Sequence, residues 1–492
     1  MTYSNGAIAL DALPRVIQGG MGTGVSNWVL ARAVSRAGQL GVVSGTALDT
    51  IFVRRLQDGD PGGHMRRAMA HFPIPGVSET ILDRWFLPEG RTEGAGYKLL
   101  PMYRQAVGAA RQQLTMLANF VEVWLAKEGH EGKVGINLLT KVQMPNLASL
   151  YGAMLAHVDY VLMGAGIPRE IPGVLDAFSE GRTASMRLDV EGLAPGEAEY
   201  LTLDPADHWE GARPALPRPY FLPIIAATSL GLTLARKSTG RIDGFIVEGP
   251  TAGGHNAPPR GDMHLDEQGQ PIYGDRDVVD LDKLAETGLP YWLAGSTGSP
   301  EGMRSALERG AAGIQVGTLF AYCNESGFTT ELKEKILEGV GRGDVRVHTD
   351  PRASPTGFPF KVVQLSELDS QDDRRVRNCD LGYLRTAYKR EDGRLDYRCP
   401  AEPVDTYLKK GGDIEDTVGR RCLCNGLVAN IGHAQVTAAG TDEMVYVTSG
   451  DDLVKMAEFL DGRTSYSAIE ALGYLCSGLL LRREEPLIAA SA

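Results

Sequence analysis

The chain has 492 residues, 43% of them apolar and 23% charged, with a formal net charge of −12. Without a basic stripe it is not expected to bind nucleic acid, and no apolar run reaches the ~18–20 residues that cross a bilayer. Six cysteines in so long a chain do not make a disulfide scaffold. The opening MTYSNGAIALDALPRV lacks the basic and apolar regions of a cleaved signal, so a cytoplasmic globular enzyme is expected.

Short apolar runs alternate with helix-length segments, the pattern of parallel βα units. The first run, PRVIQ (14–18), passes into the glycine-rich GGMGTGVS, and LGVVS (40–44) follows a helical stretch. Residues 46–132 form an excursion with helical periodicity, clearest in YRQAVGAARQQLTMLANFVEVWLAKEG. KVGIN (133–137) and DYVLM (159–163) come next. A second excursion over 173–219 holds MRLDVEGLAPGEAEYLTLDP, read as a short hairpin. FLPIIA (221–226), DGFIV (243–247), PYWLA (290–294) and AGIQV (312–316) complete a set of eight. Eight such units predict an α/β (β/α)8 TIM barrel with helical insertions, although counting alone leaves a doubly wound open sheet as an alternative.

The barrel is expected over 1–335, with its helical excursion at about 46–132. A C-terminal α+β extension is expected over 336–492, with the charged centre SELDSQDDRRVRN and closing helices in DDLVKMAEFLDG and SAIEALGYLC.

Three motifs carry chemistry. In IQGGMGTGVS, packed glycines let backbone N–H groups approach a ligand closely, although a tight βα turn explains the motif as well. In WLAGSTGSPEGMRSALERGAAGIQVGTLFAYCNESG (292–327) two successive strands end in glycine, at Gly295, Ser296 and Gly298 and then at Gly317 and Thr318. In a barrel, the loops after strands seven and eight commonly cradle a phosphate with main-chain amides, which suits an acidic protein. The third, GPTAGGHNAPPRG (249–261), sets His255 on a bend with little side chain around it.

In this order, IQGGMG, GINL, AGGH and AGSTGSPEG…GIQVGT resemble the nitronate monooxygenase family, formerly 2-nitropropane dioxygenases, which includes flavin-dependent enoyl reductases of fatty-acid and polyketide synthesis. The resemblance covers roughly residues 14–330 and implies an FMN-binding barrel. It places Gly19, Gly20 and Met21 against the flavin ring and Asn137 at its polar edge. It gives the phosphate to Gly295, Ser296, Gly298, Gly317 and Thr318, with Gln315 nearby. Gly253 and Gly254 would let the backbone run close beneath the ring, so that His255 projects towards the substrate. An imidazole titrates nearest neutrality and can take or give a proton, the plainer role being a bond to a loop carbonyl. Lys141 in LLTKVQMP is either a substrate-facing cation or a surface lysine, and for His64 in DPGGHMRR, on the excursion after the second strand, a place lining a lid is the alternative to the favoured reading without a functional role.

Two departures from the family text, GPTAGGHNAPPRG and AGST in place of the commoner AGGI, leave FMN binding intact but open the reaction. The resemblance implies oxidative denitrification of alkyl nitronates with O2. The alternatives are reduction of an enoyl thioester with NAD(P)H as co-substrate, or a flavin-binding module without turnover. The partner is a small-molecule substrate, nitronate or enoyl thioester, and a homodimer is open. Four cysteines, Cys379, Cys399, Cys422 and Cys424, fall in the C-terminal region. Four thiolates can bind a structural zinc or an iron–sulfur cluster, but without a CxxC knuckle, reduced thiols are the default expectation. Cys323 and Cys476 are expected to be packed.

Overall fold

The structure is a computed structural model describing residues 13–480 apart from 212, 367, 369–374 and 438–439. Most of the charged run SELDSQDDRRVRN and all but the end of the opening segment lie outside the described residues.

Eight parallel strands form the central sheet: β1 Val16–Gln18, β2 Gly41–Ser44, β3 Val134–Leu139, β4 Tyr160–Gly164, β5 Tyr220–Ile225, β6 Phe245–Glu248, β7 Tyr291–Ala294 and β8 Gly313–Val316. Each lies where the apolar pattern places one. β1 pairs with β8 in the register Ile17 to Gln315. The ring closes at a bridge between Ile17 and Leu40, with Gln18 N–H donating to the Leu40 carbonyl at 2.9 Å. The molecule is therefore a closed (β/α)8 barrel rather than an open sheet. Its interior is filled by Ile17, Val42, Leu162, Leu222, Ile246 and Trp292, all essentially without solvent contact. The Trp292 indole N–H donates to the Pro14 carbonyl at 2.7 Å and closes the floor.

Successive strand residues face opposite sides. Inward-facing Ile246 therefore makes Glu248 inward-facing too. Register carries the same face across the sheet, since Glu248 pairs with Ala294 and Ala294 with Gln315. Asn137 pairs with inward-facing Leu162. Three polar side chains thus point into the barrel at the carboxyl ends of its strands.

The excursion after β2 folds into the helices Leu48–Gln57, His64–Met69, Val77–Trp85 and Ala109–Lys127. The last of these packs on Trp28–Arg36 and Asn146–Leu155 and serves as the barrel helix between β2 and β3. The second excursion forms the expected hairpin, Ala184–Leu188 antiparallel to Glu199–Leu203.

The boundary expected at 335/336 falls inside the helix Thr330–Arg342. Beyond it, Arg346–Asp350 pairs antiparallel with Phe360–Gln364, and Thr386–Lys389 pairs with Leu395–Arg398 and with Val190–Glu191. The helix Ala468–Leu480 packs against Pro300–Glu308 and Trp28–Arg36, and so fills the gap in the outer ring between the helices that follow β7 and β1. The polypeptide between these elements crosses the carboxyl ends of the strands. Among the described residues, no helix is long and apolar enough to cross a membrane.

Candidate functional site

A cleft of about 1630 Å3, open to solvent, lies at the carboxyl ends of the strands. Its walls include Gly19, Gly20 and Met21 after β1, Asn137 on β3, and Gly253, Gly254 and His255 after β6. Gly295 and Ser296 after β7, and Gln315, Gly317 and Thr318 at the end of β8, complete the set. A second, outer chamber of about 940 Å3 is lined by Ile167, Leu230 and Phe358, with Arg260 at its exposed rim. Ala165, Ile224, Glu248 and His255 line both spaces.

Two expected residues stand apart. Gly298 is not part of the wall, because its N–H is given to Asp452 Oδ2 at 3.2 Å. Lys141 is exposed, its ammonium 5.8 Å from the Phe358 ring centre, and lines neither space. His64 packs against Trp28, the ring centroids 5.1 Å apart. Cys323 is fully buried.

Gly20 is required by close approach. A Cβ there would lie 2.2 Å from Asn137 Cβ and 3.0 Å from Val42 Cγ1. Gly20→Ala is therefore expected to destabilise the barrel by about 1–3 kcal/mol through overpacking. The variant's lowered melting temperature checks this, with displacement of Asn137 as the cause.

Gly253 is also required by a close approach of backbone. A Cβ there would meet Gly450 N and the Ser449 carbonyl carbon at 2.8 Å, so the glycine makes room for the backbone of the C-terminal region. That region roofs the site. The Gly254 N–H donates to Thr448 Oγ1 at 2.8 Å, Gly450 N–H donates to Thr318 Oγ1 at 3.0 Å, and Asp451 N–H donates to the Thr251 carbonyl at 3.0 Å. The buried Lys361 ammonium anchors the strap through Asp451 at 2.7 Å and Thr349 at 2.9 Å.

His255 is held by the same roof. Its Nε2 shares a 2.7 Å hydrogen bond with Ser354 Oγ, which in turn shares one of 2.8 Å with Thr356 Oγ1. The Phe360 ring stands edge-on to the imidazole at 4.8 Å. With Nε2 engaged, Nδ1 is the ring atom left for another partner. Burial pushes the imidazole down to about 4, so it is neutral at physiological pH. A ring that resists protonation is suited to orienting a partner and donating a hydrogen bond to it.

Glu248 shows the opposite shift. Its carboxyl is pushed up to about 8 by burial alone, and no hydrogen bond or ion pair to a described residue compensates it. Tyr273, raised to about 12, and the rim residues Arg260 and Asp277 are its polar surroundings in the outer chamber. A carboxyl shifted up and an imidazole shifted down thus line the same two spaces, and groups shifted in this way mark a candidate for acid–base chemistry.

Sequence reasoning passed over Glu248, Ser354 and Asp452. Glu248 was legible, since strand alternation in FIVE turns it inward with Ile246. Ser354 lies 99 residues from His255, and no local pattern links them.

The mouth fits the flavin that the motifs imply. Gln315 Oε1 is buried without a partner and the Asn137 amide makes no side-chain hydrogen bond to a described residue, so both have capacity for a ligand's polar edge. Asp452 is the discordant group. It accepts from Gly298, lies beside Ser296, and burial raises its carboxyl above the usual range.

Among the described residues, no three His, Cys, Asp or Glu side chains are arranged to hold a metal ion.

The fold and its mouth define a (β/α)8-barrel protein with its candidate site at the carboxyl ends of the strands, as is usual for this architecture. The family model described as nitronate monooxygenase matches residues 219–349, the region that holds β5 to β8, the AGGH turn and the glycine loops after β7 and β8.

Two curated proteins are similar to parts of this chain. The (3aS,4S,5R,7aS)-5-hydroxy-7a-methyl-1-oxo-octahydro-1H-indene-4-carboxyl-CoA dehydrogenase of Mycobacterium tuberculosis is 31% identical over 148 residues, 30% of this chain and 37% of that protein. A nitronate monooxygenase of Pseudomonas aeruginosa is 36% identical over 98 residues, 19% of this chain and 25% of that protein. The chain thus spans well under half the length of the curated relatives it matches. Among solved structures, FabK from Thermotoga maritima is similar at 16% identity and a TM-score of 0.46, over 97% of this chain and 96% of that one.

Proposed function

We propose that the chain is an FMN-dependent oxidoreductase that reduces a neutral α,β-unsaturated thioester with NAD(P)H as electron donor. One observation carries this reading: a protonated carboxyl and a neutral imidazole meet at the junction of two chambers, and no described Lys or Arg lines the inner one. An anionic substrate would find no counter-charge there. A neutral acceptor that gains negative charge only as it reacts meets hydrogen-bond donors already in place. The relative acting on a carboxyl-CoA supports a thioester as the substrate class.

FMN, when bound, supplies the two-electron chemistry between NAD(P)H and the β-carbon of the substrate. Gly19, Gly20 and Met21 would lie against it, Asn137 and Gln315 would bond its polar edge, and Gly295, Ser296, Gly317 and Thr318 would hold its phosphate. His255, its ring fixed by Ser354, donates from Nδ1 to the thioester carbonyl as charge builds on that oxygen. Glu248 gives its proton to the α-carbon and recovers one from water through the outer chamber. The roof formed by Phe360 and the Thr448–Asp452 strap limits water at the reacting carbons.

Asp452 opposes a phosphate at this cradle. At a separation of several ångströms, a carboxylate and a phosphate repel by about 1–3 kcal/mol near a protein surface. Asp452→Asn is therefore expected to tighten FMN binding about tenfold, read by fluorescence titration of the apoprotein. An unchanged affinity would show that the carboxyl turns away when the cofactor enters.

A second reading, oxidation of an alkyl nitronate with O2, is favoured by the family match and by the Pseudomonas relative. Anaerobic mixing of the flavin-loaded protein with NADPH, NADH and propionate 3-nitronate separates the two. Bleaching by a reduced nicotinamide, reversed by crotonyl-CoA, is expected. Bleaching by the nitronate alone would establish the monooxygenase, and bleaching by none would leave a flavin-binding module without turnover.

A further inference from the structure

We propose that Cys379 and Cys399 form a peroxide-sensitive dithiol that closes reversibly into a disulfide behind the wall of the inner chamber. The two come from separate turns of the C-terminal region, with Cys399 directly after the strand Leu395–Arg398. Arg377, just before Cys379, donates to the carbonyl of Pro400, just after Cys399, at 3.0 Å, so the two turns lie side by side. Both thiols are free, both line one narrow cavity, and the Cys399 thiol donates a hydrogen bond to the Cys379 sulfur.

Each turn is also held from outside. Asn425 Nδ2 donates to Asp380 Oδ1 at 2.6 Å and to the Asn378 carbonyl at 3.4 Å, which brackets Cys379. The Cys399 N–H donates to Glu402 Oε1 at 3.4 Å, and Glu402 takes the Lys410 ammonium at 2.7 Å. Anchors that keep two sulfurs in contact lessen the backbone movement needed to join them.

The two sulfurs are unequal. Cys379 is partly exposed, whereas Cys399 is buried. The hydrogen bond from Cys399 holds the Cys379 thiol below its ordinary range, Arg385 and Lys410 adding to it against burial and Glu402. The same bond, together with burial, pushes Cys399 well up. Cys379 is therefore the attacking sulfur and Cys399 the resolving one. Cys422 and Cys424 line the same cavity, but one caps the helix Leu423–Ala429 and the other sits in its first turn. Side chains at that spacing do not face each other, and burial raises both thiols.

The oxidant is hydrogen peroxide. The Cys379 thiolate attacks one peroxide oxygen, the O–O bond breaks, and water leaves behind a sulfenic acid. The Cys399 sulfur then bonds to the Cys379 sulfur, and its proton departs with the hydroxyl as a second water. Two thiols lose two electrons to one peroxide. Leu384, Leu423 and Cys424 line both the small cavity and the inner cleft, so one wall separates the pair from the cleft. On the flavin reading, which this source of oxidant rests on, O2 that takes two electrons from reduced FMN in that cleft becomes peroxide beside the pair.

The test treats the reduced full chain with one equivalent of hydrogen peroxide, alkylates the remaining thiols and maps the digested protein by mass spectrometry. A peptide joining Cys379 to Cys399 is expected, reversed by dithiothreitol, with four of the six thiols still alkylated. In Cys399→Ser the sulfenic acid is stranded, so dimedone labelling of Cys379 should rise at least about fivefold over the native chain. All six thiols surviving, a bridge to Cys422 or Cys424 instead, or no added labelling in a folded Cys399→Ser variant would overturn the proposal. Should that variant fail to fold, the native map decides alone. NADPH and air should form the same bridge in the FMN-loaded chain, and catalase should suppress it. A bridge made by added peroxide but not by NADPH and air would leave the thiol pair standing and refute only the flavin as its source of oxidant.

Discussion

Glu248→Gln is expected to slow reoxidation of the flavin-loaded protein by crotonyl-CoA about 100-fold or more, while NAD(P)H still reduces it at the native rate. Loss of a positioned general acid typically removes two to four orders of magnitude. The amide keeps the size and polarity of the side chain but has no proton to give to carbon. Stopped-flow absorbance of the two half-reactions checks this. Equal slowing of both would mean that Glu248 shapes the pocket instead of supplying a proton.

The pH dependence follows from the same group. Because burial lifts the carboxyl to about 8, native kcat/KM should fall as pH rises through that value, and the variant should lack this limb. Stability moves with it. Between the ordinary carboxyl range and about 8, the folded chain holds a proton that the unfolded chain has released, so native stability falls as pH rises through that window. The amide of the Glu248→Gln variant does not titrate. That variant should therefore gain melting temperature over the native chain at pH 8, and the gain should vanish near pH 4.

His255→Asn is expected to lower kcat about 100-fold to 1000-fold with flavin content unchanged, the usual cost of removing one donor to a developing oxyanion. The imidazole is pushed down to about 4, so native activity should show no limb near 6.5. The sign for stability is opposite to that of Glu248. As pH falls from 6.5 towards 4, the unfolded chain takes up a proton that the folded chain refuses, and the histidine's contribution is lost there. Ser354→Ala tests the positioning: it should reduce kcat by a smaller factor with KM nearly constant, because the ring remains but its Nε2 anchor is gone. A retained native rate in His255→Asn would remove this residue from the chemistry and return it to a packing role in the AGGH turn.

The barrel was legible because each strand announces itself locally. Runs such as DGFIV and AGIQV are short, apolar and bounded by glycine, and burial on both faces of a parallel strand permits little else. The glycine loops were legible for a similar reason, since a loop that brings main-chain amides to a ligand must shed side chains.

Much less could be read of the surroundings of Glu248 and His255. Ser354, Thr448 and Asp452 reach the mouth through long-range contacts, and nothing in SPTG or TSGDD marks them for it. His255 was found by its neighbours, but its neutrality depends on Phe360 and Ser354, which lie about a hundred residues further along the chain.

By itself, then, the sequence determined the eight-stranded barrel and the glycines and histidine that line the cleft at the carboxyl ends of its strands, because periodicity and local sterics are properties of neighbouring residues. Only the tertiary structure decided that the C-terminal region roofs the site, that Glu248 is held protonated and His255 neutral, and that four scattered cysteines share one cavity. Burial and enclosure arise where distant segments meet, and no local pattern in the chain encodes that meeting.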